Sequence, residues 1–117
     1  MRSIINCMDD AMSRAILTAL LIGVAAPALA DEPKVSIAIR DDGFAPAEVQ
    51  VPAGVKIELS IKNEQNGAAE FESHSLRREK VIAPGATGTV YVGPLQPGKY
   101  EFFDEFHPKN RGVLVAK

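Results

Sequence analysis

The sequence predicts an all-β sandwich, and three observations carry that prediction. Beyond about residue 30 the apolar residues recur with a period of two, no stretch of helical period lasts beyond a turn or two, and Pro/Gly turns recur roughly every 8 to 12 residues. At 117 residues the chain has room for one small domain. Its hydrophobic content of 46% argues against disorder, and a formal net charge of −2 offers no footprint for nucleic acid.

The first apolar run belongs to a different kind of segment. Ala15 to Ala26 carries no charge, Pro27 follows, and Ala28-Leu29-Ala30 precedes the acidic Asp31-Glu32-Pro33. Small residues at Ala28 and Ala30 suit a signal peptidase, so residues 1–30 read as a secretory signal and 31–117 as the folded domain. The run is shorter than the roughly 20 residues a spanning helix needs, so the chain is expected not to span a membrane. Asp9 and Asp10 are unusual in a basic leader, whereas Met12-Ser13-Arg14 would open a compact signal unaided, which leaves Met12 as an alternative start. The one cysteine, Cys7, lies upstream of the cut. An exported chain without a disulfide must hold by its core.

Along the domain, Val35, Ile37 and Ile39 alternate with Ser36 and Ala38 as a first strand. Asp41 to Pro46 reads as a loop, and Val49 and Val51 as a second strand. After Pro52-Ala53-Gly54, Val55, Ile57, Leu59 and Ile61 alternate with Lys56, Glu58, Ser60 and Lys62, one face apolar and the other polar. Asn63 to Ala69 is a polar loop leading to Glu70-Phe71-Glu72-Ser73-His74. Val81-Ile82 precede the turn Pro84-Gly85, Val90 and Val92 mark another strand, and Tyr100 and Phe102 follow the turn at Pro97-Gly98. Gly112 to Ala116 is the last strand.

Two segments carry a family likeness: Phe44-x-Pro46-x-x-Val49-x-Val51-Pro52-x-Gly54, and Pro97-Gly98-x-Tyr100-x-Phe102-x-Asp104-x-x-His107 continuing to Gly112-x-Leu114. Together they resemble the cupredoxins, the Greek-key β-sandwiches of blue copper proteins. Within that superfamily, Glu70-Phe71-Glu72-Ser73 and Phe102-Phe103-Asp104-x-Phe106-His107 resemble the EfeO-type cupredoxin-like domain of periplasmic proteins associated with bacterial iron uptake. A blue copper relative would have Cys where Asp104 stands, Met near Asn110 and a further His after Asn63. Here His107 keeps its place and Glu70 lies near the upstream His position. Blue copper chemistry depends on a copper–thiolate bond, which residues 31–117 cannot supply, so no type 1 copper is expected.

Strand parity puts Asp104 on the same face as Tyr100 and Phe102, at the strand's end, with His107 one turn away. The resemblance implies that this end holds a metal, with Asp104 and His107 as principal ligands and Glu70 completing the set. Carboxylates with an imidazole form a harder donor set than thiolate, suited to iron or to Cu(II). Glu72, His74 and Glu105 are weaker ligand candidates. Glu70, Glu72 and His74 share parity, so the row reads either as a second acidic–imidazole site or, the favoured reading, as a charged sheet edge that discourages strand pairing. Arg77-Arg78-x-Lys80 reads as a solvated basic cluster. Phe103 and Phe106 flank the site and either seal its pocket or present an apolar rim to a partner.

The resulting expectation is a periplasmic accessory of iron uptake that binds an iron or copper ion. It would hand the ion to a periplasmic iron-binding protein or an inner-membrane iron permease. The protein would be a monomer or weak sheet-edge dimer. An auxiliary ferroxidase activity is compatible with hard carboxylates, but a lone site has no store for the electrons that dioxygen consumes, and nothing in the sequence demands an enzyme. The rival expectation is a metal-free scaffold serving protein–protein interaction, with Asp104 and His107 hydrogen-bonded to one another.

Overall fold

The structure, a computed structural model, describes residues 32–117, so the signal expected over residues 1–30 lies outside the described residues. No helix among the described residues is long and apolar enough to cross a membrane. Strand β1 (Lys34–Arg40) turns at Asp41-Asp42 into the short β2 (Gly43–Ala45), which pairs back on it with Phe44 opposite Ile39. Sequence had suggested only a loop over 41–46. Gly43, at φ 137°, makes the difference, because it permits a backbone conformation that side chains disfavour. Phe44 is then swung into the core.

Strand β3 (Glu48–Val51) is followed by β4 (Ile57–Asn63), where Ile57, Leu59, Ile61 and Asn63 all point inward and are buried. Alternation alone would start this strand at Val55. The turn runs on through that residue, with Gly54 at φ 79° and its N–H donating to the Leu95 carbonyl, and Val55 is left exposed. The remaining strands are β5 (Ala69–Ser73), β6 (Arg78–Ile82), β7 (Thr87–Val92), β8 (Gly98–Asp104) and β9 (His107–Ala116). Strand β9 begins five residues before the apolar run that announced it, because a bulge between Phe103 and Asp104 lets His107 pair with Asp104.

Two mixed sheets result, ordered β2-β1-β4-β7 and β3-β9-β8-β5-β6. The β1–β4 and β3–β9 pairs are parallel and the others antiparallel. Inward residues of both sheets form one apolar cluster, each large aliphatic or aromatic side chain contributing on the order of 1.5–3 kcal/mol. Phe102 sits at its centre, edge-on to Phe44 at 4.8 Å and tilted against Phe71 at 5.2 Å. Gly112 lies beneath that ring, where a Cβ would come within 2.4 Å of it. The bare backbone of β9 is what makes room for Phe102.

Strand β5 lies between β8 and β6, with Glu72 paired to Phe103 on one side and Glu79 on the other. The row Glu70–Glu72 therefore does not guard a sheet edge, as its charge pattern had suggested. It stands on the outer face of an interior strand, and β6 with its basic residues forms the edge.

Candidate functional site

The first group of interest sits where β8 ends. Asp104 follows the inward parity of Phe102 and is completely buried. Its Oδ1 accepts the backbone N–H groups of Glu70 and Phe106, both at 3.0 Å. Its Oδ2 accepts Gln65 Nε2 at 3.3 Å and His107 Nδ1 at 3.2 Å. A carboxylate has about four acceptor positions, and all four are filled here. Because a carboxylate only accepts, the His107 contact assigns the ring proton to Nδ1. The His107 side chain is 54% exposed, so Asp104 anchors one side of a ring whose other side meets solvent.

Gln65 escaped the sequence reading, although it continues the inward parity of Ile61 and Asn63. Asn63 holds it in place. Its Oδ1 accepts the Gln65 N–H at 3.0 Å, while Nδ2 donates to the carbonyls of Gly67, Ile82 and Ala83. One buried amide thus ties the 63–69 loop to the end of β6 and aims Gln65 at Asp104.

Glu70 was expected to complete this set with its carboxylate. It meets Asp104 through its backbone N–H instead, because Phe71 takes the inward position and turns the Glu70 side chain to the outer face. There its ligand atom lies within 4.8 Å of those of Glu72 and Glu79. Sequence had overlooked Glu79, which the β5–β6 hairpin register sets directly opposite Glu72. Like charges so placed are destabilising unless something intervenes.

Glu72 is the unusual member. Its side chain is only 20% exposed and its Oε1 lies 3.7 Å from His74 Nε2, whereas its Oε2 is buried with no hydrogen-bond partner. Burial raises its pKa above 4.5. The neighbouring carboxylates of Glu79, Glu70 and Glu105 push it further the same way. Of the weaker candidates, Glu72 stands beside Glu70, and His74 and the charge of Glu105 lie near Glu72. Glu105 itself is exposed, and its N–H donates to the Glu70 carbonyl.

The two rim aromatics separate as well. Phe106 is 49% exposed and lines a depression with His107 and Asp41. Phe103 points to the opposite side of β8, with His74 at 5.5 Å and the Arg111 guanidinium 4.9 Å from its ring centre.

A two-sheet Greek-key-type sandwich with acidic and imidazole groups at the end and outer face of one sheet defines the class of protein. Residues 13–116 match the cupredoxin-like domain family, and the chain belongs to that family. It is 46% identical over 84 residues to an uncharacterized protein of Rickettsia prowazekii (strain Madrid E), covering 71% of this chain and 67% of that one. Among solved structures it is similar to the metal binding domain of the Cu(I) exporting P-type ATPase CopA of Streptococcus pneumoniae D39, solved with Cu(I). The TM-score is 0.66 at 18% identity, covering 77% of this chain and 91% of that one. It also resembles a purple cupredoxin from Nitrosopumilus maritimus, with a TM-score of 0.57, 14% identity and coverage of 71% and 99%. Amicyanin from Paracoccus versutus gives a TM-score of 0.58, 18% identity and coverage of 77% and 85%. At such identities these structures speak to the fold alone.

Proposed function

We propose that the protein is a periplasmic metal-handling accessory of bacterial iron uptake, of the EfeO-like kind, whose ion rests on the carboxylates of Glu70, Glu72 and Glu79. The observation that carries this reading is the Glu72–Glu79 cross-strand pair, with Glu70 beside it and a buried Glu72 oxygen that no donor satisfies. A cation would satisfy such a group. Three carboxylates form an all-oxygen donor set suited to iron or manganese, with His74 near enough to Glu72 to add a nitrogen. The ion would be held without a thiolate. A site on an open sheet face, with one exposed ligand in Glu79, also suits hand-over to an iron-binding protein or an inner-membrane permease.

Titration at pH 7 with Mn(II), anaerobic Fe(II), Fe(III) and Cu(II), followed by calorimetry and thermal unfolding, tests the ion site. Wild type and His107→Ala should be stabilised, and Glu72→Gln should not. An unchanged response in Glu72→Gln would overturn the assignment. The link to iron is tested separately: a strain lacking the gene should accumulate less iron under limitation, and Glu72→Gln should fail to restore it.

A second reading, a metal-free interaction module, is favoured by the Asp104 corner. There the hydrogen-bonded pair is complete in itself and Phe106 is presented to solvent. Absence of any metal-dependent stabilisation in wild type would select it.

A further inference from the structure

Beside the carboxylate trio, the outer face of the five-stranded sheet carries a cationic cleft that the proposed ion site does not use. A depression of about 430 Å³ is lined by His74, Ser75, Lys99, Glu101, Phe103 and Arg111. A second of about 420 Å³ includes Glu72 and Glu79, and His74 is common to both. The volume of the first falls in the roughly 300–1,000 Å³ range of small-molecule sites.

Arg111 is held ready for an anion. Its guanidinium lies over the Phe103 ring, 4.9 Å from its centre, a cation–π contact that helps hold the side chain in the cleft. Its carboxylate neighbour, Glu101, is 3.9 Å away and both side chains are well exposed, so the pair contributes little and gives way easily. Lys99 supplies a second positive charge in the same cleft. A carboxylate that displaced Glu101 would gain a two-point, charge-assisted contact.

We infer that this cleft binds the free carboxylates of a small metal–polycarboxylate chelate, so that the ion arrives at Glu70, Glu72 and Glu79 already chelated; this rests on the trio being the ion site. The chemistry requires such an arrangement. Ferric ion hydrolyses at neutral pH unless chelated, and a polycarboxylate complex that keeps negative charge would be repelled by three glutamates alone. Lys99 and Arg111 reverse the local sign next to the trio and give the anionic end a place to sit. His74, against Phe103 at 5.5 Å and Glu72 at 3.7 Å, forms the wall across which the ion moves from one set of oxygens to the other. No covalent or redox step is needed, since the transfer is an exchange of ligands.

Citrate alone and Ga(III)–citrate, a diamagnetic stand-in for the ferric complex, serve as probes in NMR titrations of the isotope-labelled protein. Both should shift the signals of His74, Phe103 and Arg111 saturably. Arg111→Gln combined with Lys99→Gln should weaken citrate tenfold or more without weakening Mn(II) binding. Arg111→Lys, which keeps the charge and loses the fork, should fall between. The amide fingerprint of each variant reports whether it is folded. Citrate that fails to saturate, or that binds the double variant as well as wild type, would overturn the cleft. So would a glutamate-rich peptide that binds more tightly than citrate, since the occupant would then be a protein segment. Mn(II) binding without citrate binding removes the cleft and keeps the ion site; citrate binding without Mn(II) binding removes the ion site and with it the delivery role.

Discussion

Two carboxylates lie one strand apart in this protein and have met opposite fates. Asp104 is fully buried and accepts four hydrogen bonds, two of them from backbone. Glu72 is less buried, yet it has a like charge opposite it and an oxygen with no donor. Burial by itself is therefore a poor guide to where a cation belongs. What separates the two is satisfaction: the first is a finished network and the second an unfinished one. Finished polar networks rigidify a fold, whereas unfinished ones leave a place for a water or an ion.

That contrast can be broken most forcefully at Asp104. Asp104→Ala strands two backbone N–H groups, the Gln65 amide and His107 at once, and should cost about 3–5 kcal/mol in urea unfolding, as expected when one partner of a buried charged network is removed. A loss under 1 kcal/mol would mean that the corner is not structural. Next in size is the metal effect. An ion at 100 times its dissociation constant should raise the unfolding free energy by about 2.7 kcal/mol in wild type, and Glu72→Gln should abolish the gain in calorimetric melts.

His107→Ala removes one hydrogen bond at a half-exposed ring and should cost roughly 1 kcal/mol, leaving the metal response intact. The smallest effect is distinguished by its sign. Because the Glu72 pKa is raised in the folded state, that state binds the proton more tightly. Metal-free stability should then fall as pH climbs from 4.5 through the folded value. Glu72→Gln should accordingly raise the metal-free melting temperature at pH 7 and lose that advantage below pH 4.5. A lowered melting temperature at pH 7 would show that Glu72 already has a stabilising partner.

Much of this was legible from residue order, and the failures have physical causes. The inward aim of Asp104 follows from the parity of Phe102, and the sandwich from alternation between turns. Glu70 was misplaced because its proximity to Asp104 runs through a backbone N–H, which carries no side-chain signature. The parity of Phe71 did contain the correct orientation. Glu79 was invisible because its meeting with Glu72 depends on the register of the β5–β6 hairpin. Ser73 sets the connecting turn by accepting the Leu76 N–H and donating to the Glu101 carbonyl, while Arg77 takes a left-handed φ of 55° without a glycine to announce it. Asn63 and Gln65 were passed over as loop residues because they are polar, although they continue the buried face of β4.

The parallel joining of β3 to β9 sets residues 48 and 113 side by side. Since β9 also separates β3 from β8, the larger sheet cannot close until residues 107–116 have left the ribosome. Contacts of such long sequence separation make folding slow to begin. A nascent chain of this design stays without its complete larger sheet until β9 emerges, and a product cut before β9 would leave β3 and β8 with raw strand edges.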